Sequence, residues 1–447
     1  MKVENEKQST VHSQLSIEGN MPKLRFGDFS GGLLVTRLSE IINKLESGVS
    51  VNSEDVPPNS NENGILKTSA IYAGSFNPEQ AKVITDASEL RRAKLNPKKD
   101  SIIISRMNTP ALVGESGYIS KDYPNLFIPD RLWQATVSSQ HCTRWLSFLL
   151  TSPRTRFIIS SKGTGTSNSM KNISKPSFLS IGAVTPTLPE QQKIASFLSK
   201  VDEKIGLLSD KKDKLTEYKR GVMQQMFNGK WHEQDGQLTF VPPTLRFKAD
   251  DGSEFPDWEE RTLKSVFSIF NGFAFKSTDS RTNGTRWLKI ADVGVEKISN
   301  KNISFLPKDY LEKYKKFALK KGDVVVALTR PVLNEQLKIA FVDDHSDGAL
   351  LNQRVGKVDT KECLIYVYYL AQCKRVVSSI IQNIAGTDPP NLAPTDINHI
   401  KITLPSLEEQ KKIANFLSAI DQKIALTNSE LNKAKEWKKG LLQQMFV

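Results

Sequence analysis

The chain contains one phrase written twice. Residues Glu190 to Phe227, "EQQKIASFLSKVDEKIGLLSDKKDKLTEYKRGVMQQMF", and Glu409 to Phe446, "EQKKIANFLSAIDQKIALTNSELNKAKEWKKGLLQQMF", align without a gap, and about half of the positions are identical. A shorter echo opens each half: Pro22-Lys23-Leu24-Arg25-Phe26 and Pro243-Thr244-Leu245-Arg246-Phe247. The order is a short Pro-x-Leu-Arg-Phe phrase, a long variable stretch, a helical segment, and then the same three again. A repeat of this size marks a duplicated folding unit. The 447 residues agree, being too many for one ordinary hydrophobic core.

The repeated segment predicts a long helix in each half. Pro189 and Pro405 stand at its start, Glu190 or Glu408 and Glu409 follow, and Lys and Arg gather toward the end, as helix polarity favours. Ile194, Val201, Leu208, Leu215 and Val222 recur every seven residues, with Phe197, Leu198, Ile205, Tyr218 and Met226 beside them. The second copy keeps Ile413, Phe416, Leu417, Ile420, Ile424, Leu431, Trp437, Leu441 and Met445, while Thr427 and Ala434 replace Leu208 and Leu215. About 36 residues at ~1.5 Å rise give roughly 54 Å. A single apolar stripe of that length requires a partner, either its own domain or the other copy, and the duplication favours mutual packing.

Between these segments the pattern changes. "GDVVVALTR" (322–330) and "LKIAFVDD" (337–344) combine β-branched runs with turn residues, and "ECLIYVYYLAQ" (362–372) begins a helix. The first half answers with "KKDSIIISRMN" (98–108), "LFIPDRLWQATV" (126–137) and "TRWLSFLLTSP" (143–153). Both then reach a loop, "KGTGTSNSMKNISKPSF" (162–178) and "AGTDPPNLAPTDINHI" (385–400). Each half is therefore expected to hold an α+β domain of about 150 residues, a usual domain size. Residues 229–242, with Asp-Gly and Pro-Pro signals, read as a linker.

Formal charge is +13, which permits a polyanionic partner such as nucleic acid, but Lys and Arg are interleaved with acids and form no basic arm. No apolar run approaches the ~20 residues of a membrane span. Residues 1–21 are polar and lack an apolar signal core, so they read as a flexible extension and the cytoplasm is the expected compartment. Cys142, Cys363 and Cys373 have no paired spacing, which excludes a disulfide framework and a four-cysteine zinc site.

No local pattern supplies catalysis. Asp388-Pro389-Pro390-Asn391 resembles the base-gripping motif of amino-group DNA methyltransferases, but Asn391 stands where the stacking aromatic is needed. "GTGTSNSMKN" lacks the Gly-Lys-Ser/Thr of a nucleotide P-loop, although its backbone N–H groups suit phosphate contact. Asp343, Asp344 and His345 have no second ligand group at metal spacing and read as an exposed turn. Glu259, Glu260 and Lys264 after Pro256-Asp257 lack the Glu-x-Lys step of a nuclease, and no nucleophile elbow is present. The expectation is a chain that is non-catalytic by itself and holds no metal.

"LPEQQKIASFLSKVDEKI" and "LPSLEEQKKIANFLSAIDQKI", each leading to "QQMF", together with the two Pro-x-Leu-Arg-Phe phrases, resemble the specificity subunit of type I restriction–modification enzymes over nearly all of the chain after residue 21. The resemblance implies an α+β fold of two target recognition domains joined by two long antiparallel coiled-coil helices, a pseudo-twofold internal duplication. Residues 22–187 would read one half of a split double-stranded DNA target and 243–403 the other. Spacer helices at 188–228 and 404–447 would set the unread distance and dock two methyltransferase subunits, to which restriction subunits attach. S-adenosylmethionine, ATP and Mg would belong to those partner subunits and none to this chain. Domains about 34 Å apart would meet successive turns of DNA, roughly 10 base pairs.

Base reading calls for polar side chains at base edges, with phosphate contacts fixing register. The matched loops nominate Arg106, Asn108, Lys162, Thr164, Thr166, Ser167, Asn168 and Lys171 in the first domain. In the second they nominate Arg281, Arg286, Arg330, Asn334, Thr387 and Asn391. For the coiled coil and the partners the nominees are the stripe positions Ile194, Phe197, Leu198, Val201, Ile205, Leu208, Leu215 and Val222, with Ile413, Phe416, Leu417, Ile420, Ile424, Leu431 and Leu441. Two rival readings are a coiled-coil adaptor that binds proteins and a self-sufficient DNA-modifying enzyme.

Overall fold

The computed structural model describes residues 21–167, 170–227, 229–234, 237–241, 243–384 and 389–446. They form two compact units, residues 1–209 with 429–447, and residues 210–428. Helices α1 (Leu188–Phe227) and α2 (Leu407–Met445) each give their first half to one unit and their last half to the other. No helix among the described residues is long and apolar enough to cross a membrane.

Each unit is organised around a four-stranded antiparallel sheet. In the first unit the strands are β1 (Ile42–Ser47), β2 (Ser101–Ser105), β3 (Ser116–Ile119) and β4 (Leu132–Val137), in the order β1-β4-β2-β3. The second unit repeats it with β5 (Phe267–Asn271), β6 (Val324–Ala327), β7 (Ile339–Phe341) and β8 (Val355–Thr360), in the order β5-β8-β6-β7. "SIIIS" and "VVVA" are the inner strands and are buried throughout, as continuous β-branched runs covered on both faces should be. A three-stranded sheet recurs as well, Gly64–Leu66 between Leu126–Phe127 and Ala81–Val83, and Thr285–Leu288 between Leu350–Leu351 and Ser304–Leu306.

Within each unit the Pro-x-Leu-Arg-Phe phrase is latched to the start of the long helix. Arg25 donates to Glu190 through Nε at 2.7 Å and Nη2 at 2.8 Å, and Arg246 donates to Glu409 in the same bidentate way at 3.0 and 2.8 Å. Glu190 and Glu409 are 1% and 0% exposed. The next residue is also repeated in role: Gln191 Oε1 accepts from the Cys142 N–H and its amide donates to the Pro186 carbonyl, while Gln410 does so with Cys363 and Pro405. Glutamine therefore anchors the helix Thr143–Thr151, or Leu364–Ala371, to the start of α1 or α2.

Within each unit the two helix segments run antiparallel. In the first, Ile194 and Met445 line one small cavity, Phe197 packs edge-on to Trp437, and Asp202 meets Lys438 at 2.6 Å. In the second, Lys219 meets Asp421 at 2.7 Å, and Phe227 packs on Tyr366, one turn from the Cys363 that holds Gln410. Ile194, Leu198, Val201 and Leu441 join the core of the first unit, with Phe197 and Ile205 against it. Val222, Ile413, Leu417 and Ile420 join the core of the second, with Phe416 and Ile424 against it. Leu208 and Leu215 are half-buried, whereas their replacements Thr427 and Ala434 are buried, as is Leu431.

The "QQMF" phrases are structural plugs. Met226 and Phe227 enter the core of the second unit, and Met445 and Phe446 that of the first, where Phe446 lies 6.4 Å from Trp145. Each helix thus completes the core of the domain encoded in the other half. The stretch read as a linker contains a hairpin, Lys230–Gln234 paired with Gln237–Val241. Its Asp235-Gly236, and the extension 1–20, lie outside the described residues.

Candidate nucleic-acid interface

In each unit the ends of two parallel-running strands and the start of the strand between them make a sheet corner: β1, β2 and β4 in the first, β5, β6 and β8 in the second. A glycine closes it. A Cβ at Gly48 would lie 1.5 Å from the Ile128 carbonyl oxygen, and one at Gly272 would lie 2.2 Å from that of Leu351, so only hydrogen fits. The close approach lets Val49 N–H donate to Ile128 at 3.1 Å and Phe273 N–H donate to Leu351 at 2.9 Å.

The chain leaving the inner strand is fixed twice more. Arg106 N–H donates to the Arg131 carbonyl at 3.0 Å, as Leu328 N–H does to that of Arg354 at 2.9 Å. The carbonyl of Arg106 accepts from Ile173, and that of Leu328 from Leu392, at 3.0 and 2.6 Å. The second pair of bonds brings the middle of each quoted loop, at Ile173 in 162–178 and Leu392 in 385–400, back onto the corner.

Several nominated residues therefore meet. In the first unit Met107–Asn108 pairs with Met170–Asn172, which pairs with Thr164–Ser167, and Lys171 stands opposite Asn108. The Asn108 amide donates to Ser105 Oγ at 3.3 Å, Thr164 Oγ1 to the Asn172 carbonyl at 3.2 Å, and Lys171 Nζ to the Ser160 carbonyl at 3.4 Å. Lys162 ends the preceding helix and reaches Ser180 at 3.4 Å. Thr166 and Ser167 belong to the outer strand; Asn168 lies outside the described residues. Arg106 Nε and Asn172 Oδ1 are buried here without a partner among the described residues, which marks a polar corner whose bonding is incomplete.

In the second unit Thr329 bridges to Asn391, donating from Oγ1 to Oδ1 at 3.0 Å, and Arg330 N–H donates to Pro390 at 2.7 Å. Arg330 is exposed in the left-handed region at φ 48°. Asn334 and Glu335, at φ 49° and 59°, form the two-residue turn between Val332–Leu333 and Gln336–Leu337, the geometry a tight hairpin demands. Burial, then the charge of Arg330, push the Lys338 ammonium below its usual range. Thr387 lies outside the described residues.

Two nominees sit elsewhere. Arg281 is exposed, but its guanidinium donates to the Thr278 and Ser280 carbonyls at 3.0 and 2.9 Å. Arg286 corrects the sequence expectation. It is 7% exposed, and its guanidinium bonds Asn300 Oδ1 at 2.8 Å and the His345 and Ser299 carbonyls at 3.0 and 3.1 Å. The "DSRTNGTRW" turn ends before it, and the strand Thr285–Leu288 carries its side chain inward as an interior strut.

The structure adds residues that loop composition does not reveal. An open cleft of about 530 Å³ at the second corner is lined by Asn271, Thr329, Gln353, Arg354 and Asn391, among others. Amides, a hydroxyl and a guanidinium are the groups that bond base edges and phosphates. Arg131 occupies the place of Arg354 in the first unit. Both precede a strand directly, in "PDRLW" and "NQRVG", and only the strand register shows that they correspond.

Comparison with known proteins gives the same architecture. The family model described as the type I restriction modification DNA specificity domain matches residues 34–217 and again 256–436. The type I restriction enzyme MjaVIII specificity subunit of Methanocaldococcus jannaschii is 35% identical over 290 residues, 64% of this chain and 65% of that protein. The EcoAI specificity subunit of Escherichia coli is 33% identical over 105 residues, 23% of this chain and 18% of that protein. The chain thus spans less than two thirds of either relative. The crystal structure of a type I restriction–modification S subunit from M. genitalium shares the fold, with a TM-score of 0.56 at 15% identity, covering 95% of this chain and 99% of that one. With both halves matched over most of its length, the chain belongs to the type I restriction–modification DNA specificity family.

Proposed function

We propose that this chain is the DNA-specificity subunit of a type I restriction–modification enzyme, non-catalytic by itself. Residues 22–187 read one half of a split, asymmetric target and residues 243–403 the other. The helices at 188–228 and 404–447 set the number of unread base pairs and dock two methyltransferase subunits, which carry S-adenosylmethionine. Restriction subunits with ATP and Mg complete the assembly.

One observation carries this reading. The two units keep the same latch, the same glutamine anchor and the same sheet order, while part of each sheet corner differs: Arg106-Met107-Asn108 in the first stands where Leu328-Thr329-Arg330 does in the second. Identical scaffolds with different polar corners suit one partner type docked twice and two unlike half-sites. The formal charge of +13 favours a polyanion over a protein-only adaptor role.

Mapping methylated adenines in host DNA with and without the gene tests the reading. The expected result is a motif of two unlike halves, separated by a fixed unread spacer, that vanishes with the gene. An unchanged methylation map would overturn it, as would modification of DNA by the purified chain alone. Binding with the methyltransferase should weaken steeply as salt rises, because phosphate contacts release counterions.

A further inference from the structure

The matched hydrogen bonds pair the two corners residue by residue. The bonds of Val49 and Phe273 align Gly48 with Gly272, those received by Arg131 and Arg354 align Asp130 with Gln353, and those of Ile173 and Leu392 align Asn172 with Asn391. The glycine, the arginine and the asparagine are kept in both halves. The residue before the arginine changes from Asp130 to Gln353, although both are exposed.

We propose that Arg131 and Arg354 are corresponding phosphate anchors, one for each half-site, and that the neighbouring Asp130 and Gln353 read base edges. The inference rests on the DNA-reading function above. Two unlike half-sites share only the sugar–phosphate backbone, so a group kept at both corners suits the contact common to both, and a group that differs suits the contact that distinguishes them. Each arginine has its carbonyl fixed by the Arg106 or Leu328 N–H. Among the described residues neither guanidinium makes a hydrogen bond or ion pair, so its fork of donors is free for a phosphate.

The chemistry of the variable position agrees. Asp130, held by the Ser50 hydroxyl, is acceptor-only and matches the amino group of cytosine. Gln353 carries both donor and acceptor and matches adenine in the bidentate manner. It lines the open cleft beside Arg354, where both reach the same volume.

The test uses the full chain assembled with its methyltransferase, with variants Arg354→Ala and Gln353→Ala. Binding is measured against salt on the mapped target and on DNA with one half scrambled. Arg354→Ala should weaken both about tenfold, lower the salt slope by about one, and leave the methylated motif unchanged. Arg354→Lys should restore the slope, which a merely structural role would not require. Gln353→Ala should keep the slope and make one base of one half-site degenerate, with roughly 10- to 100-fold lost discrimination there. Arg354→Ala with wild-type affinity and slope, or Gln353→Ala with an unaltered motif, overturns the inference. A wild-type complex with no sequence preference would instead overturn the DNA-reading function itself.

Discussion

Replacing Arg246 by methionine should unlatch the second unit. The Glu409 side chain is fully buried and receives Arg246 at 3.0 and 2.8 Å and the Trp258 indole N–H at 3.2 Å. Arg246→Met keeps most of the apolar stem but leaves that carboxylate with a single donor. Stranding one member of a buried ion pair costs roughly 3–5 kcal/mol. Changing both residues, Arg246→Met with Glu409→Leu, removes the charge with its partner. Apolar replacement of a buried pair is often near neutral, so the double variant should lose only the Trp258 bond and the bonds from Arg246 to the Phe255 and Pro256 carbonyls, about 1–3 kcal/mol. The assay is urea unfolding of the full chain, followed by tryptophan fluorescence and circular dichroism, with the two units' transitions fitted separately. A single-variant loss below about 1 kcal/mol, typical of exposed pairs, would refute the reasoning. So would a double variant less stable than the single one.

Phe446→Ala should cost the first unit roughly 3–5 kcal/mol, and Phe227→Ala the second, because each ring fills the core of the domain from the opposite half; hydrogen exchange resolved by segment checks where protection falls. Lys219 is desolvated, which lowers its pKa, but Glu296 at 2.8 Å and Asp421 at 2.7 Å more than compensate and hold it above 10.5. A raised folded-state pKa means that its stabilisation is fully present below about pH 10.5 and is lost as pH rises through the folded value. Alkaline titration of the unfolding midpoint should therefore fall more steeply for the wild type than for Lys219→Met. Arg286→Leu should destabilise the second unit by leaving the Ser299, Asn300 and His345 oxygens unpaired, while the methylated motif stays the same.

The helices were legible because their signal is periodic and doubled: Ile194, Val201 and Val222 fall on the buried stripe that their seven-residue spacing describes. The inner strands were legible in "SIIIS" and "VVVA", where β-branched runs leave little choice. What composition could not supply was long-range pairing. Nothing local in Pro-x-Leu-Arg-Phe says that its arginine will fork onto a glutamate more than 160 residues away. Nor does the apolar ending "QQMF" say which core it will enter. At the corner, Asn108, Thr164 and Lys171 meet because the segment 162–178 folds into strands that pair with Met107–Asn108, whereas Arg286 faces inward because one residue beyond a turn the strand decides which way a side chain faces. Arg131 and Arg354 emerge only when the halves are aligned by strand register, since their flanking sequences have diverged.

The central claim is that each globular domain reads its own half of the DNA target. The most direct measurement exchanges residues 243–403 for the corresponding segment of a relative and maps the methylated motif in cells carrying the exchange. The account expects one half of the motif to change, with the other half and the spacer length unaltered. A motif that changes in both halves, or in neither, would contradict it.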